Sequence, residues 1–110
     1  MRTIKSSADI DKMFQEGTHF NSKKLSIITY ASDLSGRDPS GRVAFIAGKR
    51  LGNAVVRNRN KRVLRAAAHE AGLPVEGYDV VLIANRATAT SSHDDVVSSL
   101  RYLLRKSGLQ

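Results

Sequence analysis

Apolar residues recur along this chain at two spacings, and the switches between them predict its elements. Ser6 or Ser7 caps a first helix, with Asp9 near its positive N-terminal end. Ile10, Met13 and Phe14 follow at helical spacing, and Gly17 stops it. Leu25, Ile27, Thr29 and Ala31 then alternate with Ser26, Ile28 and Tyr30, so a strand is predicted over Leu25–Ala31 with two distinct faces. The segment 32–41 holds Ser35-Gly36, Asp38-Pro39 and Ser40-Gly41, turn signals of a polar, mobile loop joining antiparallel strands. Residues 42–48 are the next predicted strand, and the continuous apolar run that follows Arg42 predicts burial on both faces.

Gly52-Asn53 marks a turn, and a middle helix is predicted over residues 54–71, ended by Gly72-Leu73-Pro74. Tyr78–Ala84 is the clearest buried strand. Ser91 or Ser92 caps a last helix, supported by Asp94 and Asp95, striped by Val96, Val97, Leu100, Leu103 and Leu104, and closed by Gly108. The succession of helix, strands, helix, strand and helix makes an α/β (α+β) sandwich. No repeat or linker divides it, so residues 1–110 read as a single domain.

Composition narrows the class. The chain has 110 residues and no cysteine, which excludes a disulfide framework, a thiol nucleophile and a cysteine-based zinc site. There is no apolar run of about 18 residues to cross a membrane. Met1 to Lys5 lead into polar residues instead of an apolar signal region, so a cytoplasmic protein is expected. Charge then changes the picture. Residues 39–69 carry Arg42, Lys49, Arg50, Arg57, Arg59, Lys61, Arg62 and Arg65 without one acid. The rest of the chain balances ten basic residues with ten acidic ones, so the net charge of +8 comes from this segment. Concentrated charge attracts polyanions, nucleic acid first among them.

On a helical projection Val56, Val63, Leu64, Ala67 and Ala71 share an apolar arc, while Arg57, Asn58, Lys61, Arg62 and Arg65 fill the opposite one. Arg59 lies near the edge of the stripe. Like charges at i,i+4 cost a few tenths of a kcal/mol per pair. A merely solvated face would intersperse Glu. Phosphate relieves the repulsion and releases counterions, which accounts for the pattern better.

The run from Gly48 to Arg65 reads Gly-Lys-Arg-Leu-Gly-Asn-Ala-Val-Val-Arg-Asn-Arg-Asn-Lys-Arg-Val-Leu-Arg. It resembles the signature of the bacterial ribonuclease P protein component: a small residue, two basic residues, an apolar residue, Gly-Asn-Ala-Val, then Arg-Asn-Arg and a Lys-Arg pair. The opening helix with Phe14 and Gly17, the strand Tyr78-Asp79-Val80-Val81 and the closing Leu100-Arg101-Tyr102-Leu103-Leu104 resemble the same family. The resemblance implies the order α-β-β-β-α-β-α around a mixed four-stranded sheet, with a left-handed βαβ crossover where the general rule favours the right-handed one.

It also implies a function. Ribonuclease P cleaves precursor tRNA to leave a mature 5′ end, its RNA subunit carrying the catalytic site and magnesium. The protein would be a monomeric partner in a 1:1 complex, contributing no catalytic residue and binding both that RNA and the 5′ leader of precursor tRNA. Arg57, Asn58 and Arg59 fall on the family's Arg-Asn-Arg motif, and Lys61, Arg62 and Arg65 continue that surface. Lys49, Arg50 and Asn53 lead into it. Leader binding is implied for a cleft between the first helix and the sheet, at Ile10, Phe14, Ile28 and Tyr30. Ile10 and Ile28 stand where relatives often carry Phe and Tyr.

Other signals are weak. Gly48-Lys49 lacks the preceding Gly and following Ser or Thr of a phosphate loop. His19, His69 and His93 have no metal-ligand spacing, and Asp9/Asp11 and Asp94/Asp95 sit where helix N-termini favour acids. A stand-alone RNA-binding module, such as a ribosome-associated one, is the alternative reading.

Overall fold

The computed structural model describes residues 3–4, 6–31 and 41–110. Helix α1 spans Ser7–Glu16, and the Ser6 hydroxyl accepts the Asp9 backbone N–H at its start. Three strands follow: β1 (Thr18–Asn21), β2 (Leu25–Ala31) and β3 (Arg42–Ile46). A 3-10 turn at Lys49–Leu51 leads into α2 (Ala54–Glu70), then β4 (Tyr78–Ala84) and α3 (His93–Lys106). The expected loop at 32–41 lies, but for Gly41, outside the described residues.

The sheet runs β1-β2-β4-β3. β1 and β2 pair antiparallel, β2 and β4 antiparallel, and β3 and β4 parallel, so the sheet is mixed and β3–α2–β4 is a βαβ unit. β2 and β3 do run in opposite directions, but β4 lies between them. β1 was invisible to hydrophobic alternation because Thr18, His19 and Asn21 are exposed and only Phe20 is half-buried.

Both faces of the sheet are covered, unequally. Leu25, Ile27, Val43, Val80 and Leu82 pack against Leu64, Ala67, Ala68, Leu100, Leu103 and Leu104 of α2 and α3. The opposite face carries Ile28, Tyr30, Ala44 and Val81, packed with Ile4 and with Met13 of α1. The α3 stripe is buried at all five expected positions, and Ser92 caps the helix by accepting from the Asp95 N–H.

Two readings are corrected. The run 42–48 ends as a strand at Ile46 and occupies a sheet edge, so Phe45 and Ile46 are half-buried instead of enclosed. In α2, Val56 is 38% exposed, and the buried stripe continues through Asn60, 3% exposed. The first turn of the helix lies outside the core, so Val55 and Val56 project into solvent while the second-turn Asn60 is enclosed.

A polar strut fastens α1 to the sheet. Arg42 Nη2 meets Asp79 Oδ2 at 2.7 Å, its backbone N–H donates to Asp79 Oδ1 at 3.1 Å, and Nη1 reaches Asp9 Oδ2 at 3.2 Å. The hydrogen bond to Asp79 raises the Arg42 pKa, outweighing the opposing effect of burial. A raised pKa on a cation means stability that is present below the unfolded value and lost only above it. For a guanidinium that window lies beyond any ordinary pH, so Arg42 itself stays charged throughout.

Candidate nucleic-acid interface

The approach to α2 is built to present its N-terminal turn. Gly52 adopts φ +140°, a conformation L side chains rarely take, and a side chain there would crowd Val56. Asn53 then caps the helix, its Oδ1 accepting from the Val56 N–H at 3.1 Å. Asn53 therefore has a structural duty that the resemblance alone did not assign. Arg57 is also partly committed: its Nε donates to the Ala47 carbonyl at 3.2 Å, tying α2 to the exit of β3.

The remaining basic residues divide around the helix. Lys49, Arg50, Asn58, Arg59, Arg62 and Arg65 are exposed, and Lys61 is half-buried. The Arg65 guanidinium lies 5.2 Å from the Phe45 ring centroid, a cation–π contact that holds it beside the β3 edge. Arg59 and Arg62 line a shallow groove of about 270 Å³ with Val63, Ala66, Ser91 and His93 towards α3. Arg62 and Arg65 flank another, of about 400 Å³, with Ala66 and His69. The result is a convex strip of cations with grooves on either side, and no acid on α2 before Glu70.

The four positions expected to line a cleft between α1 and the sheet differ in exposure. Ile28 has no exposed surface and Tyr30 only 8%, so neither offers a stacking surface. Gly17 explains the burial of Ile28: a Cβ there would lie 2.5 Å from Ile28 Cγ2, so the turn after α1 rests directly on that side chain. Of the four expected positions, Ile10 remains half-buried and Phe14 is 41% exposed. The Phe14 ring stands edge-on to His19, 6.2 Å away, while His19 Nε2 contacts the Phe14 carbonyl oxygen at 3.0 Å.

Below Ile28 the same face opens. Ser26, Ile83 and Ile46 form a cross-strand row, all half-buried. Ile46 and Ile83 floor a cleft of about 660 Å³ whose wall includes Lys49, Arg50, Asn85 and Arg86. Arg86, Ile46 and Ile83 were missed in the sequence. Arg86 lies two residues beyond the end of the buried β4, and position after a central strand was the available signal. The turn that carries it is fixed: Asn85 Nδ2 donates to the Lys23 carbonyl, and Thr88 Oγ1 to the Lys24 carbonyl at 2.6 Å.

An apolar shelf rimmed by cations suits an unpaired strand, and a convex cationic helix face suits structured phosphate. Fold and site thus define a basic α/β RNA-binding module. A family model described as Ribonuclease P matches residues 1–108. The ribonuclease P protein component of Lactococcus lactis is 36% identical over 104 residues, 94% of this chain and 86% of its own length. That of Oceanobacillus iheyensis is 35% identical over 107 residues, 96% and 86% of the two chains. The chain belongs to the ribonuclease P protein family. The structure of the Staphylococcus aureus RNase P protein superposes with a TM-score of 0.81 at 23% identity, covering 99% of this chain and 97% of that one. The Thermotoga maritima protein gives 0.77 at 20%, covering 96% and 97%. At that identity these two support the fold. The stand-alone alternative is not favoured.

Among the described residues the donor set does not fit a magnesium ion. Among the described residues no three His, Asp or Glu side chains come together to hold a metal, and the cleft walls are cationic. Nor is any helix among them long and apolar enough to cross a membrane.

Proposed function

We propose that this chain acts as the protein subunit of ribonuclease P by holding two RNAs at once. The α2 strip, chiefly Asn58, Arg59, Lys61, Arg62 and Arg65 with Lys49 and Arg50 at its approach, binds the catalytic RNA. The face of the sheet that carries α1, with Ile10 and Phe14 at one end and the cleft floored by Ile46 and Ile83 at the other, takes the single-stranded leader of precursor tRNA. Cleavage chemistry and its magnesium belong to the RNA, and the complex works in the cytoplasm.

The observation that carries this reading is the juxtaposition of a cationic helix, without an acid before Glu70, with an apolar, cation-rimmed shelf on the same end of the sheet. Arg supplies a planar fork for phosphates, and Asn58 can donate and accept towards sugar or base edges. Compare binding of the purified chain to ribonuclease P RNA and to an unrelated structured RNA of equal length at moderate salt. A marked preference for the first is expected. Equal affinity would instead make the chain a general RNA-binding module.

A further inference from the structure

A third cleft lies on the other side of the 3-10 turn, between α2 and the turn at residues 85–90. It measures about 360 Å³, and its lining includes Arg50, Asn60, Asn85, Arg86 and Thr90. Its polar wall is largely committed. Asn85 Oδ1 accepts from the Ala87 N–H, its Nδ2 donates to Lys23, and the Thr90 hydroxyl lies 3.3 Å from the Ala87 carbonyl.

Asn60 is different. It is 3% exposed, and its Nδ2 donates to the Val56 carbonyl at 2.9 Å. That bond fixes the amide orientation, because the reverse flip would set two oxygens against each other. Its Oδ1 is buried and has no donor among the described residues. An unsatisfied buried acceptor is costly, and a methyl-bearing side chain of similar size would remove the cost. At the rim, Arg50 and Arg86 form no ion pair among the described residues.

The arrangement selects its ligand. An anion alone would meet two cations at the rim but an oxygen at the floor, so the inward group must be a neutral hydrogen-bond donor. A nucleotide of RNA offers both, phosphate at the rim and ribose 2′-hydroxyl at the floor, whereas DNA lacks the hydroxyl. We propose that this cleft is a subsite for one ribonucleotide, its phosphate between Arg50 and Arg86 and its 2′-hydroxyl donating to Asn60 Oδ1. The proposal rests on the RNA-binding reading above and adds a residue that tells RNA from DNA.

The test measures binding of the full chain to a labelled pentamer of uridine and to its 2′-deoxy counterpart by fluorescence anisotropy. One neutral hydrogen bond predicts a roughly three- to tenfold preference for the ribose form. Asn60→Leu should abolish the preference by weakening ribose binding alone, while melting at or above the wild-type temperature. No preference in the wild type, or a preference kept by Asn60→Leu, overturns the subsite. Should Asn60→Leu not fold, single 2′-deoxy substitutions walked along the pentamer decide the matter on the wild-type chain. One sensitive position supports the subsite, and an even spread refutes it. Binding of wild type to ribonuclease P RNA, measured alongside, separates the two levels. If that binding holds while the pentamer preference is absent, the subsite falls and the RNA-binding reading stands.

Discussion

Replacing Phe14 with Ala separates the leader cleft from the core. The ring is 41% exposed and makes an edge contact with His19, while the enclosed residue of α1 is Met13. Truncating a fully buried Phe costs about 3–5 kcal/mol, so two-fifths exposure brings the expected loss of folding stability down to about 2–3 kcal/mol. A base stacked on that ring gains roughly 1–3 kcal/mol, a factor of about 5 to 150 in affinity. Binding of precursor and mature tRNA to the assembled complex should therefore diverge, because only the precursor carries a leader. The penalty should persist at low and moderate salt alike, since stacking releases few counterions. Thermal unfolding and both tRNA affinities are measured on the same variant. Equal weakening of precursor and mature tRNA, or a stability loss in the full-burial range, would refute the placement of Phe14 in the leader site.

Other variants probe the remaining parts. Arg59→Ala and Arg62→Ala should each weaken assembly with ribonuclease P RNA by about 1.5–3 kcal/mol and reduce the salt slope by nearly one unit, with melting unchanged because both are exposed. Calorimetry of Asn53→Ala should show a loss of about 1 kcal/mol in stability, as expected for a helix cap. Gly17→Val forces a side chain against Ile28 Cγ2 and the Met13 carbonyl, and should lower stability by about 1–3 kcal/mol in denaturant titration. Asp79→Asn breaks a buried pair while leaving Arg42 its contact with Asp9, so a loss of about 2–4 kcal/mol is expected in the same assay.

What the sequence revealed follows from how each residue gets its environment. The stripe of α3 was legible because burial there repeats with the helical period and Ser92, Asp94 and Asp95 mark its start. β4 was legible because a central strand covered on both faces has no reason to alternate. β1 was not, because a mostly exposed edge strand carries little apolar signal. The basic face of α2 could be read from charge, since exposed cations answer to the helix that bears them. The cleft could not, because its walls come from β3, β4 and the turn beyond β4, far apart in sequence. Ile28 and Tyr30 share the expected strand face, yet the close approach at Gly17 and the packing around Met13 bury them. Asn60 broke an apolar stripe by one position, a departure that acquires meaning only beside Arg50 and Arg86.

The central claim is that this chain supplies binding to an RNA that supplies the chemistry. Cleavage of precursor tRNA by ribonuclease P RNA at low magnesium, with and without the purified chain, tests it most directly. Strong stimulation at the mature 5′ end is expected when both are present, and no cleavage by the chain alone. Cleavage by the chain without the RNA, or an RNA activity indifferent to its addition, would contradict it.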